Sequence, residues 1–276
     1  MKPAPFDYVR PETQAAAFEH LAAAGGEARP IGGGQSLGPM LNLRLARPGK
    51  LVDVSRLGDL RVSRDDARHV EIGAAVTHAE IEDGRSPQPI EGMLRHVAAG
   101  IAYRAVRNKG TIGGSLCHAD PAADWVSAMT VLDASIVVAG AAGRRRDIAM
   151  TEFMVGAYRT ALEPGELVRA VRIPKYSGEA RWGYYKICRK LGEFADAIGA
   201  VVADPARGYC RIVAGSTGAA PLVLDDLAPE LARTAAMPAG TRIKDVLGAS
   251  GIAFDAVKLH QLTVAIQRSI AQALQA

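Results

Sequence analysis

Residues 111 to 124, TIGGSLCHADPAAD, place paired glycines ahead of a serine, a cysteine and a histidine, and then Asp120 and Asp124 around Pro121. Those residue types suit three chemistries: a metal site, a nucleophile with its base, or a cradle of backbone amides. Adjacent residues on a strand point to opposite faces and on a helix diverge by roughly 100°, so Cys117 and His118 do not serve one ion or one proton transfer. Cys117 then reads as a small buried filler. A second glycine-rich turn, IGGGQSLG at 31–38, favours the cradle. Glycine tolerates positive φ and lacks a Cβ, so successive N–H groups converge on an anion. Ser36 and Ser115 follow the two glycine runs with a hydroxyl each, and a helix expected after each turn aims its first amides the same way. Neither turn has the G-x-G-x-x-G spacing or a GK[ST] ending. Singly, each is more often a plain tight turn. Together they suggest one extended ligand with a pyrophosphate in its middle. His78, in VTHAE, fits either a ligand contact or an ordinary first-turn helix residue.

Composition narrows the class. The 276 residues suffice for two packed domains, and 49% hydrophobic with 22% charged residues is ordinary for a globular protein. No apolar run approaches the ~20 residues of a membrane-spanning helix, and MKPAPFDYVRPE has no apolar signal region, which leads us to expect a cytoplasmic protein with no transmembrane segment. The 3 cysteines, Cys117, Cys188 and Cys210, are scattered and form no CxxC, which argues against a disulfide framework, a zinc site or an iron–sulfur cluster on this chain. A formal charge of +4 with 5% aromatic residues is poor footing for nucleic-acid binding.

These groups need positioning elements. Pro11 stands where a helix favours its first residue, and an Ala-rich helix over PETQAAAFEHLAAAGG follows. Residues 28–55 read as strand, glycine turn, helical segment and a second strand, LVDVS. LRVSRDDARHVEIGA is a hairpin around Asp65 and Asp66, and THAEIED is helical. In IEGMLRHVAAGIAYRAVRNKG, Met93, Leu94, Val97, Ala98 and Ile101 keep helical spacing. DWVSAMTVLDA is a helix, SIVVAGAAGRRRDIAM a hairpin turning at Gly140 and Gly143, and LVRAVRIPK a strand. The polar bridge KYSGEA is the expected domain boundary. YYKICRK, IGAVVA and CRIVAG form an antiparallel meander, and KLHQLTVAIQRSIAQAL closes the chain as an amphipathic helix. The fold class is mixed α+β, without regular βαβ alternation or internal repeats. The charged segments holding Arg44, Arg47, Arg107 and Lys109 are expected on a solvated face, favourable to a nearby phosphate.

IGGGQSLGPMLNLRLARPGKLVDVS, VRNKGTIGGSLCHADPAAD and YKICRKLGEFA resemble the medium, FAD-binding subunit of molybdenum hydroxylases, the family of xanthine dehydrogenase and aerobic carbon monoxide dehydrogenase. The likeness runs from FDYVRPET to the C-terminal helix. It implies a two-lobed FAD-binding domain of the molybdopterin dehydrogenase (PCMH/VAO-like) type over 1–175, with lobes of about 1–55 and 56–175. A smaller α+β domain with an antiparallel sheet and helices would fill 178–276. It implies that Gly32, Gly33, Gly34, Gln35, Ser36 and Leu37, with Gly110, Thr111, Gly113, Gly114 and Ser115, wrap the FAD pyrophosphate. Asp124 would accept from a sugar hydroxyl, Ile101 and Leu167 would line the adenine side, and Lys186 and Phe194 would face the isoalloxazine ring. His78 and Asp120 complete the implied cofactor contacts, with no catalytic residue and no metal ligand on this chain. The partners implied are a molybdopterin-containing large subunit and a small subunit with two [2Fe–2S] clusters, assembled as a dimer of heterotrimers. Electrons would pass through the FAD to NAD, oxygen or a quinone. The sequence departs from the family pattern at Ser115, where asparagine is usual, at Gly38 and Asn42, where bulkier or basic residues are common, and at Glu193, where aspartate is usual. A self-sufficient FAD oxidoreductase of the same superfamily and a flavin-free assembly or scaffold protein are the alternatives.

Overall fold

A computed structural model of the chain describes residues 2–275. Three short strands open it: β1 (Asp7–Val9), β2 (Ala28–Ile31) and β3 (Lys50–Asp53), all parallel in the order β1-β3-β2. The helix expected from Pro11 begins later, at Gln14, because Thr13 caps it by accepting from the Ala16 N–H at 3.2 Å. Ala17 and Leu21 of that helix pack with Val52 and Leu57 in a small core of their own.

A five-stranded antiparallel sheet follows, built from β4 (Arg64–Asp65), β5 (His69–Gly73), β6 (Ser135–Ala139), β7 (Arg145–Ala149) and β10 (Leu167–Pro174). Its order is β4-β5-β10-β6-β7. The apolar run of β10 takes the central place, as a strand buried on both faces must. Both expected hairpins form, one turning at Asp66 and one at 140–143. A small hairpin of β8 (Met154–Gly156) and β9 (Arg159–Thr160) was not signalled by sequence.

The meander is present as an antiparallel sheet of β11 (Arg181–Ile187), β12 (Ala197–Asp204), β13 (Tyr209–Gly215) and β14 (Leu222–Val223). Alternate residues of β12 serve two cores, as the period of 2 requires. Ile198, Ala200 and Val202 join the main core, while Ala197 and Val201 join a second core with Leu262, Ile266 and Ile270 of the helix Ala256–Gln275. That helix seats closely because a Cβ on Gly183 would lie 1.8 Å from the Ser269 carbonyl oxygen, and one on Gly199 2.3 Å from that of Ala265. On the opposite face lies the helix Asp124–Val131, buried along all 8 of its residues between the two antiparallel sheets. The main core thus runs without interruption across the polar segment 175–180.

One expectation fails instructively. The helical spacing from Met93 to Ile101 predicts one continuous helix, yet the helix Met93–Ala99 stops at Gly100. Ile101 instead pairs as an isolated bridge with Gly192, and a short helix resumes at Arg104–Arg107. Among the described residues, no helix is long and apolar enough to cross a membrane.

Candidate functional site

The first glycine turn leaves the carboxyl end of β2 and enters the helix Leu37–Asn42, where a loop of bare backbone is brought against a helix start. The backbone N–H groups of Gly33, Gly34, Gln35 and Ser36 have no acceptor among the described residues, although the Gln35 side-chain Nε2 donates back to the Gly33 carbonyl at 3.0 Å. The Ser36 hydroxyl is likewise not used as a helix cap. Four successive unspent donors beside a free hydroxyl are the chemistry an anion requires.

The second turn abuts the first. A Cβ on Gly33 would lie 1.8 Å from the Lys109 carbonyl oxygen, and one on Gly32 3.0 Å from Thr111 Oγ1. Thr111 caps the helix Ile112–His118 by accepting from the Gly114 N–H at 3.1 Å. The Ile112 and Gly113 amides donate to Val76 and Ala74 carbonyls, and Ser115 N donates to Thr111 O. The two turns therefore differ, because the amides of Ile112 to Ser115 are spent inside the protein. The second turn offers instead the exposed Gly114 surface and the half-buried Ser115 side chain. The reason for glycine is corrected. Among the motif glycines only Gly34 has a left-handed φ, of +68°. Apart from Gly38, whose surroundings are open, the others answer close approach: Gly113 to Ala74, where a Cβ would come within 2.5 Å, and Gly110 to the His78 ring, at 2.8 Å.

His78 is therefore floor rather than wall. It begins the helix His78–Glu82, which Thr77 and Glu80 cap reciprocally, and its ring is buried beneath Gly110 with Nδ1 accepting from Trp125 Nε1 at 3.0 Å. Burial, and secondarily the Arg107 charge, lower its pKa to about 4. The unfolded state then takes up this proton first as pH falls, so stability is complete above about pH 6.5 and drains away toward pH 4, by roughly 3 kcal/mol from this one group. Unfolding free energies measured from pH 7 to 4 should show that slope and His78→Gln should flatten it; an equal slope in both proteins would remove His78 as its source.

Trp125 leads to a second constellation, since its neighbour Asp124 is buried with Lys186 and Tyr184. Asp124 Oδ2 accepts from Lys186 Nζ at 3.0 Å and Oδ1 from the Tyr184 hydroxyl at 2.9 Å, while Lys186 Nζ also donates to the Gly100 carbonyl at 2.7 Å. The side chains of the pair are only 8% and 7% exposed. Burial raises the Asp124 pKa, against the opposing pull of Lys186 and Tyr184. Asp124 is thus a strut between helix and sheet, and a sugar hydroxyl would have to displace Tyr184 or Lys186 to reach it.

The remaining expected residues are dispersed around this frame. Ile101 is half-buried at the bridge to Gly192, and Phe194 is exposed on the loop after β11. Leu167 is buried in the small core beside β3. Asp120 turns its own loop by accepting from the Ala122 N–H at 2.9 Å, and lines an open groove of about 460 Å³ with Tyr158, Ser216 and Lys258. Cys117 keeps an exposed surface on the helix, yet its thiol points inward to the Val168 backbone, where burial pushes its pKa up to about 12, so the sulfur itself is covered as a filler would be. Arg107 was expected on a solvated face; it is part-buried, with 12% side-chain exposure, and paired with Glu82, 25 residues away, a separation no local pattern reveals. Among the described residues no group of three or more His, Cys, Asp or Glu is arranged to hold a metal ion.

Residues 4–176 match the family model for the FAD binding domain in molybdopterin dehydrogenase. The carbon monoxide dehydrogenase medium chain of Afipia carboxidovorans is 39% identical over 211 residues, covering 76% of this chain and 73% of that one. Caffeine dehydrogenase subunit beta from a Pseudomonas species is 31% identical over 225 residues, with 80% and 76% covered. Among solved structures, cyanide-inactivated Cu,Mo-CO dehydrogenase superposes over 100% of this chain and 99% of the matched chain, at 33% identity and a TM-score of 0.91. Quinoline 2-oxidoreductase from Pseudomonas putida 86 does so over the same shares at 30% and 0.86. With a glycine turn whose free amides suit a pyrophosphate, full-length structural agreement and a matching family model, this chain belongs to the FAD-binding domain family of the molybdopterin dehydrogenases, as an oxidoreductase subunit whose cofactor is FAD.

Proposed function

We propose that this chain is the electron-relay subunit of a molybdenum hydroxylase complex. It receives electrons from the [2Fe–2S] clusters of a small subunit, fed by a molybdopterin-containing large subunit, and passes them to NAD, oxygen or a quinone. The observation that carries the reading is the run of unspent amides from Gly33 to Ser36. These would hold the pyrophosphate, with the Ser36 hydroxyl, Gly114 and Ser115 completing its surroundings. Bound FAD supplies a two-electron store that also exchanges electrons singly. The protein's own work is to hold that group and shield it. Thr111 fixes the second turn, the packing of Gly33 on Lys109 fixes the distance between turns, and Lys186 with Asp124 ties β11 to the helix Asp124–Val131. The relatives named above are subunits of larger enzymes, which supports a large and a small partner here, assembled as a dimer of heterotrimers. We assign residues 1–175 to the FAD-binding domain, in lobes of about 1–55 and 56–175, and 178–276 to the smaller domain.

The test is turnover. The chain purified alone with FAD should oxidise none of a panel of aldehydes, N-heterocycles and carbon monoxide at an appreciable rate. The complex of three chain types should reduce its flavin on adding the matching substrate. Steady oxidation by the lone chain at the rate of the complex would replace the relay with a self-sufficient flavoenzyme.

A further inference from the structure

The turn at Gly100–Tyr103, where the sequence pattern continues a helix and the structure breaks it, is gripped in an unusual way. Three successive carbonyl oxygens accept from two cations. Lys186 Nζ donates to Gly100 O at 2.7 Å, and Arg107 Nη1 donates to Ile101 O at 2.9 Å and Ala102 O at 3.0 Å. Each cation is anchored behind by a carboxylate. Asp124 holds Lys186, and Glu82 holds Arg107 in a two-pronged contact, Nε to Oε2 at 2.7 Å and Nη2 to Oε1 at 3.0 Å. The gripped turn is strained, with Ala102 at φ +45°, a left-handed backbone that a side-chain-bearing residue holds only when its surroundings impose it. On its far side the Ala102 N–H donates to Gly192 O at 2.9 Å, and a Cβ on Gly192 would lie 2.3 Å from Ala102 O. Through that contact the turn fixes the loop after β11, which carries Leu191 at 89% exposure and Phe194 at 63%.

We propose that Arg107, anchored by Glu82, is a positioning residue for the flavin site: it holds the strained Ile101–Ala102 turn against Gly192, so setting the place of the loop 188–195, and it lies two residues before Lys109, whose carbonyl seats Gly33 of the anion-binding turn. The inference rests on the reading of this chain as FAD-binding. A planar guanidinium is required because one ammonium does not face a carboxylate in two-pronged geometry while donating to two carbonyls. Lys186 serves the single carbonyl of Gly100, where a point charge suffices. Arg104, beside Arg107, is taken up by Glu82 and Asp83 and reaches neither carbonyl.

Arg107→Met, Arg107→Lys and Glu82→Gln in the full chain provide the test, with two readouts. One is the rate of tryptic cleavage after Arg189 and Lys190, both exposed on the loop. The other is FAD affinity by titration. Release of the loop should speed cleavage about fivefold or more in Arg107→Met, since local opening governs such cleavage. FAD affinity should fall about tenfold. Arg107→Lys should fall between parent and Arg107→Met in both readouts. If Arg107→Met does not fold, the other two variants carry the same comparison. Cleavage and affinity both within about twofold of the parent would overturn the proposal, as would weakened FAD binding with unchanged cleavage, which would make Arg107 a source of charge alone. A parent chain that binds no FAD would instead sink the cofactor reading, while the cleavage arm would still decide whether Arg107 holds the loop.

Discussion

Gly33→Ala will strip FAD from this protein while leaving it folded. The single added carbon falls 1.8 Å from the Lys109 carbonyl oxygen, 2.4 Å from its carbon and 2.8 Å from Gly110 Cα. All three are backbone atoms of the neighbouring turn, so no side-chain rotation relieves the overlap. The two turns must part, and the amides of Gly33 to Ser36 then no longer face Gly114 and Ser115. Affinity should fall by at least about a hundredfold, or roughly 3 kcal/mol. Gly114→Ala is the graded comparison. Its Cβ meets only the Thr111 hydroxyl, at 2.8 Å, a side-chain atom that turns away at the loss of one capping bond worth about 1 kcal/mol. Flavin content measured by absorbance after gel filtration should rank parent, then Gly114→Ala, then Gly33→Ala. A Gly33→Ala protein that keeps stoichiometric flavin with an unchanged visible spectrum would show that the two turns do not form one cradle.

The two glycine turns and the helix after each were legible in the sequence, because glycine runs followed by serine and a helix start are local signals. Which glycine does what was not. Positive φ looked like the common reason, yet it holds only at Gly34, and the severity at Gly33 comes from Lys109, 76 residues on in the chain. The central strand β10 and the meander were legible from their apolar runs and alternation. The break at Gly100 was not, since Ile101 continues the helical period and the competing forces come from Glu82, Lys186 and Gly192, all distant in sequence. His78 was ambiguous for the same reason. Nothing near VTHAE announces that Trp125 will donate to its ring. Long-range polar pairs of this kind leave no periodic trace, and they account for most of what the sequence left open at the site.

Lys186→Met should produce the largest loss of stability of any substitution near the site. It removes the cation paired with a carboxylate that is itself only 7% exposed, and takes the lysine donor from the Gly100 carbonyl as well. Leaving an unpaired buried charge costs about 3–5 kcal/mol, whereas replacing a whole buried pair with apolar groups is often near neutral. Lys186→Met combined with Asp124→Leu should therefore recover most of the loss, a coupling that a double-mutant cycle reads directly. The pH dependence gives an independent check on the cause. The folded-state pKa of Asp124 is raised by burial, and without Lys186 it rises further. An acid whose folded pKa exceeds its unfolded value stabilises the fold fully below the unfolded pKa, and that contribution is lost as pH rises through the folded pKa. The deficit of Lys186→Met relative to the parent should thus be largest at neutral pH and shrink on acidification, as the stranded carboxylate takes up a proton and no longer needs a cation. Urea unfolding of parent, single and double variants at pH 7.5 and 5 would decide it. A deficit that stays constant with pH would mean that Lys186 stabilises by packing its methylene stem rather than by pairing with Asp124, and the strut between the helix Asp124–Val131 and β11 would then be apolar contact alone.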